Sequence, residues 1–99
     1  MIKYEITFYK KDLMVFISHL DLMTLFKRSI RRAKLPFVLT GGFTPRIKIS
    51  MPQALKLGTE SENEKMILFL EKEVEPLEIQ NLINKELPSG IEITQALKI

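Results

Sequence analysis

Cysteine is absent from this chain and histidine occurs once. Without a thiol, disulfides, thiolate zinc sites, iron–sulfur clusters and cysteine nucleophiles are excluded within its 99 residues. A protein-supplied metal site would have to join His19 to carboxylates, which suits harder ions but follows no informative ligand spacing. Long apolar runs are missing too. Leu13–Ile17 and Met66–Leu70, the longest, have five residues each, against the roughly 20 needed to cross a bilayer. The opening Met1-Ile2-Lys3-Tyr4-Glu5 contains no signal-peptide apolar region. These absences predict a cytoplasmic protein with no membrane partner. Low-complexity segments and internal repeats are likewise absent.

What is present is an ordinary globular composition, 45% hydrophobic and 27% charged, of a size that buries about two thirds of its unfolded surface. A single domain over residues 1–99 is expected. Its net charge of +3 hides a division near Gly58. Residues 1–57 hold eleven Lys or Arg against three acids, and residues 58–99 hold four against nine. A basic half of this kind predicts an anionic partner, foremost RNA.

Ile2, Tyr4, Ile6 and Phe8 alternate with polar neighbours, the period of a half-buried strand. Leu13–Ile17 reads as a short extended segment. Ser18, with Asp21 three residues on, forms a capping-box pattern that starts a helix at His19. Leu22, Leu25, Phe26, Ile30 and Ala33 give that helix an apolar stripe, and Leu35-Pro36 ends it. Phe37–Thr40 is expected as a short strand, Gly41-Gly42 as a tight connection, and Ile47, Ile49 and Met51 as the inner face of the next strand. Residues 52–63 read as a loop and Lys65–Glu71 as a strand apolar on both faces, hence central. Pro76 opens a second helix with Ile79, Leu82, Ile83 and Leu87 inward, and Ile91, Ile93, Leu97 and Ile99 mark a last strand. The order predicts an α+β, ferredoxin-like β-α-β-β-α-β sandwich: a mainly antiparallel sheet, two helices on one face and a short extra strand or hairpin.

Two sets of residues carry chemistry. Lys27, Arg28, Arg31, Arg32 and Lys34 on the first helix, with Arg46 and Lys48 after the double glycine, offer forks of donors that fit phosphate oxygens. Cations late in a helix also complement its dipole, so the helical set alone has a purely structural explanation. Phe43 and Tyr9 are the rings on which bases could stack, although a Phe after Gly-Gly is expected to pin its loop to the core. The second set is His19, Asp21 and Glu60, a polar pocket for general acid–base work if the loop at Thr59-Glu60-Ser61 folds beside the helix start. Capping accounts for Ser18 and Asp21 without catalysis, and Glu60, Glu62 and Glu64 alternate as on one strand face.

Phe16-Ile17-Ser18-His19-Leu20-Asp21-Leu22, Arg31-Arg32-Ala33 with Leu35-Pro36, Gly42-Phe43-Thr44-Pro45, Lys48-Ile49-Ser50 and Leu57-Gly58-Thr59-Glu60-Ser61 with Glu64 together resemble the radical SAM-linked protein family, a domain of unknown function. The resemblance spans nearly the whole chain and corresponds to the N-terminal half of longer members. Where those members commonly carry Asn after the Gly-Phe and His after the Pro, this chain has Thr44 and Arg46, which weighs against second-histidine chemistry. The resemblance implies a radical SAM partner enzyme that holds the iron–sulfur cluster and S-adenosylmethionine, with no cofactor in this chain.

The resulting expectation is a non-catalytic accessory domain that binds RNA, or a substrate attached to RNA, through Arg28, Arg31, Arg32, Arg46, Lys48 and Phe43. The alternatives are an enzyme half-site of His19, Asp21 and Glu60, or a protein–protein adaptor for a radical SAM enzyme whose acidic second half meets a basic partner.

Overall fold

The alternation at the start of the chain becomes strand β1 (Ile2–Lys10), and the capping pattern becomes helix α1 (His19–Arg32). Ser18 Oγ accepts the Asp21 N–H at 3.1 Å, which satisfies one of the orphan donors of the first helical turn. The chain continues through β2 (Ile49–Ser50), β3 (Ser61–Leu70), α2 (Pro76–Asn84) and β4 (Ile91–Lys98). The computed structural model describes residues 1–53 and 57–99, so part of the loop expected at 52–63 lies outside the described residues.

The sheet order is β2-β3-β1-β4 with every neighbouring pair antiparallel. Two crossovers through helices, interleaved in this order, make the expected ferredoxin-like α+β fold. β3 is central, as its two-sided apolar pattern required. Tyr4, Ile6 and Phe8 project from one face of β1 into a core shared with Leu22, Phe26 and Ile30 of α1 and Ile79 and Ile83 of α2. Both helices therefore cover the same face. The Phe8 and Phe26 rings meet edge to face at 4.9 Å, an arrangement that adds to the burial of both. The enclosed Tyr4 hydroxyl donates to the Val74 carbonyl and accepts the Val74 N–H, each at 2.9 Å. Its one polar atom is thus satisfied, and the segment entering α2 is tied to the core.

Several local expectations are corrected. Leu13–Ile17, expected as a short extended segment, is instead a 3-10 turn over Asp12–Phe16, with only Ile17 extended after it. A five-residue apolar run has no period that separates the two. The turn is set by Lys11, whose N–H donates to the Gly90 carbonyl at 2.8 Å and whose carbonyl accepts the Met14 N–H at 3.2 Å. β3 begins at Ser61, before the expected Lys65, because Ser61 finds Lys10 across the ladder. In β4, Thr7 lies opposite Gln95 but Phe8 opposite Ile93, so Thr94 is an extra residue. That bulge reverses the alternation. Ala96 is buried, and Leu97 and Ile99, expected inward, are exposed.

The largest departure concerns the strand after α1. Phe37 pairs opposite Leu70, but Ile49, twelve residues on, pairs opposite Leu68, only two residues away on β3. One edge strand is thus interrupted by ten extra residues that leave the sheet as a hairpin. Its arms are joined by Thr40 N–H to the Arg46 carbonyl and Lys48 N–H to the Val38 carbonyl, both 2.7 Å, and by a Leu39–Ile47 bridge. The expected strands at Phe37–Thr40 and Ile47–Met51 are these arms, with regular ladder only at Ile49–Ser50.

Gly90, at φ +98°, lies so close to the 3-10 turn that an added Cβ would stand 2.7 Å from Met14 Cγ and 2.8 Å from the Lys11 carbonyl oxygen. Gly41 has open space around it. Urea denaturation should show Gly90→Ala less stable by about 2–4 kcal/mol, from positive-φ strain and overpacking together. Gly41→Ala should stay within about 0.5 kcal/mol of the parent. Equal effects at the two positions would refute the close approach.

Candidate functional site

The wheel of α1 sorts its cations. With Leu22, Phe26 and Ile30 inward and each residue turned by about 100°, Thr24, Lys27, Arg28 and Arg31 fall on one flank. Arg32 falls on the other. The second arm of the hairpin lies along the first flank, because Ile47 is buried in the core at 3% exposure and draws Pro45 and Arg46 in beside the helix. Thr24, Lys27, Arg28, Arg31, Pro45, Arg46 and Ile47 together line an open groove of about 290 Å³.

Arg28, Arg31 and Arg46 of the expected set thus meet at one groove, with Lys27 completing it. The Arg31 guanidinium stands 5.1 Å from the centroid of the Phe37 ring, which holds the fork over an apolar face. Arg32 instead lines an adjacent hollow with Leu25, Arg28, Ser29, Glu86, Leu87 and Pro88. Lys48 lies elsewhere. Its ammonium sits 4.7 Å from the centroid of Phe69, a ring that also receives Lys3 and therefore belongs to the sheet face away from the helices. Tyr9 likewise holds the Lys11 ammonium at 4.6 Å.

Phe43 corrects its expected anchoring role. It stands fully exposed at the hairpin tip, with a relative exposure of 110%. Sequence reasoning missed Thr24 and the buried Ile47 as parts of the groove. Thr24 carried a usable signal, since it lies three, four and seven residues before Lys27, Arg28 and Arg31; Ile47 carried none that separates a groove floor from an ordinary strand residue.

None of the four arginines has a carboxylate within 4 Å among the described residues. The ion pairs found there are Lys11–Glu62, Lys65–Glu5 and Lys98–Glu73. Asp21 shares a hollow with Arg28, and Glu86 another with Arg28 and Arg32, yet neither pairs with them. A groove rimmed by unneutralised guanidinium groups favours phosphates or carboxylates of a ligand.

Among the described residues, Glu60 and Asp21 have different surroundings. Glu60 Oε2 accepts the Asp12 N–H at 3.2 Å, and Asp21 faces a hollow of about 380 Å³ with Met14, Ile17, Thr24, Leu25, Arg28 and Pro88. His19 is half-buried at the start of α1, and its enclosed Nδ1 has no hydrogen-bond partner among the described residues. No hydrogen bond joins any two of the three among the described residues, and no group of three or more His, Cys, Asp or Glu there is placed to hold a metal ion. No described helix is long and apolar enough to cross a membrane.

Like charges four apart on a helix, as in Lys27–Arg31 and Arg28–Arg32, repel. Arg28→Glu places an acid four residues before Arg32, the favourable orientation. Thermal and urea unfolding at low salt should find this variant more stable by about 0.5 kcal/mol, with the gain vanishing at high salt. A loss of stability would show that Arg28 is held by structure alone.

The search of curated proteins found no match to this chain, and neither did the search of solved structures. A family model described as "Uncharacterized protein conserved in bacteria" (DUF2344) matches residues 3–99, and the chain belongs to that family.

Proposed function

We propose that this domain is a non-catalytic RNA-binding module that grips the phosphate backbone with Lys27, Arg28, Arg31 and Arg46. The observation that carries this reading is the convergence of four cations on one groove with no carboxylate of the described residues within pairing distance of its arginines. Guanidinium forks suit phosphate oxygens, and binding gains free energy by releasing the counterions condensed on the nucleic acid. Backbone contacts of this kind position a ligand without reading its sequence. Arg32 and Lys48, set apart from the groove, contribute long-range attraction only.

Affinity for a stem-loop RNA should fall roughly 100-fold between about 50 and 200 mM salt if about four phosphates are engaged. Arg31→Glu and Arg46→Glu should each weaken binding and flatten that salt dependence. Salt-independent binding, or unchanged affinity in both variants, would remove the reading.

The resemblance to radical SAM-linked proteins supports a finer proposal: the bound RNA, or a group carried on it, is presented to a radical SAM enzyme. The lack of cysteine here suits that division, since the partner would hold the cluster. Co-expression of this chain with a radical SAM protein from the same genome should yield a complex that survives affinity purification. Recovery of each protein alone would count against the pairing.

A further inference from the structure

The hairpin that interrupts the edge strand ends in an exposed ring that packs against none of the described residues. Phe43 is fully exposed, and a Cβ built on either glycine before it would meet no atom within 4 Å. The loop is nevertheless braced by hydrogen bonds across its own arms. Thr40 N–H reaches the Arg46 carbonyl at 2.7 Å, Arg46 N–H returns to Thr40 Oγ1 at 3.0 Å, and Gly42 supplies the φ of +97° that closes the tip. Between ring and groove stands only Thr44, since Pro45, two positions on, already lines the cationic groove. Two residues span at most about 7 Å, so ring and phosphate-binding groups lie within reach of one nucleotide.

We infer that Phe43 stacks on an unpaired base whose flanking phosphates lie in the groove, so that the ligand is a single-stranded or looped RNA and not a duplex. This rests on the anion-docking reading above and adds the form of the nucleic acid. A ligand that answers both features must carry anionic groups and flat apolar faces at short, regular spacing, which an RNA strand does. In a duplex those faces are covered by neighbouring bases, and the ring would meet none. Because the hairpin is already braced by its own hydrogen bonds, little ordering of the loop opposes the stack.

Binding of a short mixed-sequence single-stranded RNA and of a blunt duplex containing the same strand tests this. The single strand should bind more tightly, and Phe43→Ala should weaken it by roughly 5- to 150-fold while leaving duplex affinity and the salt slope unchanged. Phe43→Trp should restore single-strand binding. An RNA carrying the fluorescent base 2-aminopurine should be quenched by the parent and not by Phe43→Ala. If Phe43→Ala leaves single-strand affinity intact, or lowers both affinities alike, the ring serves another partner and the inference falls, while salt-dependent binding that Arg31→Glu weakens would leave the backbone-gripping role standing. If neither RNA binds in a salt-dependent way, both fall together.

Discussion

Tyr4, Ile6 and Phe8 sit on the one strand that is paired along both sides for most of its length, and all three are enclosed. A slip of one residue would turn them to the open face of the sheet, so the register of β1 is fixed by the burial of large side chains as well as by its ladders. Everything that positions the site is referred to this strand. Phe26 meets Phe8 edge-on, which sets the rotation of α1, and that rotation sends Lys27, Arg28 and Arg31 to a single outer flank. Ile47 then closes the arrangement from the other side, since its burial in the same core brings Arg46 against the helix.

The hairpin is a consequence of sheet geometry as much as of its own turn residues. β3 accepts the chain at Phe37 and again at Ile49, and its two pairings are only two residues apart. The intervening residues cannot lie in the sheet plane without displacing β3, so they project. Val38 N–H to the Phe69 carbonyl and Glu71 N–H to the Pro36 carbonyl hold the base of the projection to the sheet. Among the described residues, the tip by contrast is supported by hydrogen bonds of the hairpin itself. A rigid base and an unencumbered tip are what a presenting loop requires.

Much of this was legible in the residues. The alternation of Ile2 to Phe8, the Ser18 cap, the helical stripe from Leu22 to Ile30 and the Pro76 helix start each follow from local chemistry, and together they specify the order of elements. What escaped was decided by contacts distant in sequence. Thr94 has no property that marks it as a bulge, and only the pairing with Thr7 and Phe8 reveals that Leu97 must turn outward. The 3-10 turn depends on a carbonyl from Gly90, far along the chain. For the site, the expected set kept Arg32 with Arg28 and Arg31, although helical spacing sets it apart from Lys27 and Arg31; no local rule put Lys48 on the opposite face of the sheet or left Phe43 free of the core.

The distribution of charge bears most directly on what the groove is for. Residues 58–99 contain nine acids, more than enough to neutralise four arginines. The ion pairs of the described residues go instead to Lys11, just after β1, and to Lys65 and Lys98 on β3 and β4, where exposed pairs contribute little to stability. Asp21 and Glu86 line hollows that Arg28 also lines and still leave it unpaired. Three cations crowded onto one flank of α1 raise its energy through mutual repulsion, and a sequence shaped by stability alone would relieve it with one acid at a neighbouring turn. Keeping the repulsion is intelligible if a ligand supplies the missing negative charge, because the same repulsion that weakens the free protein is then released on binding.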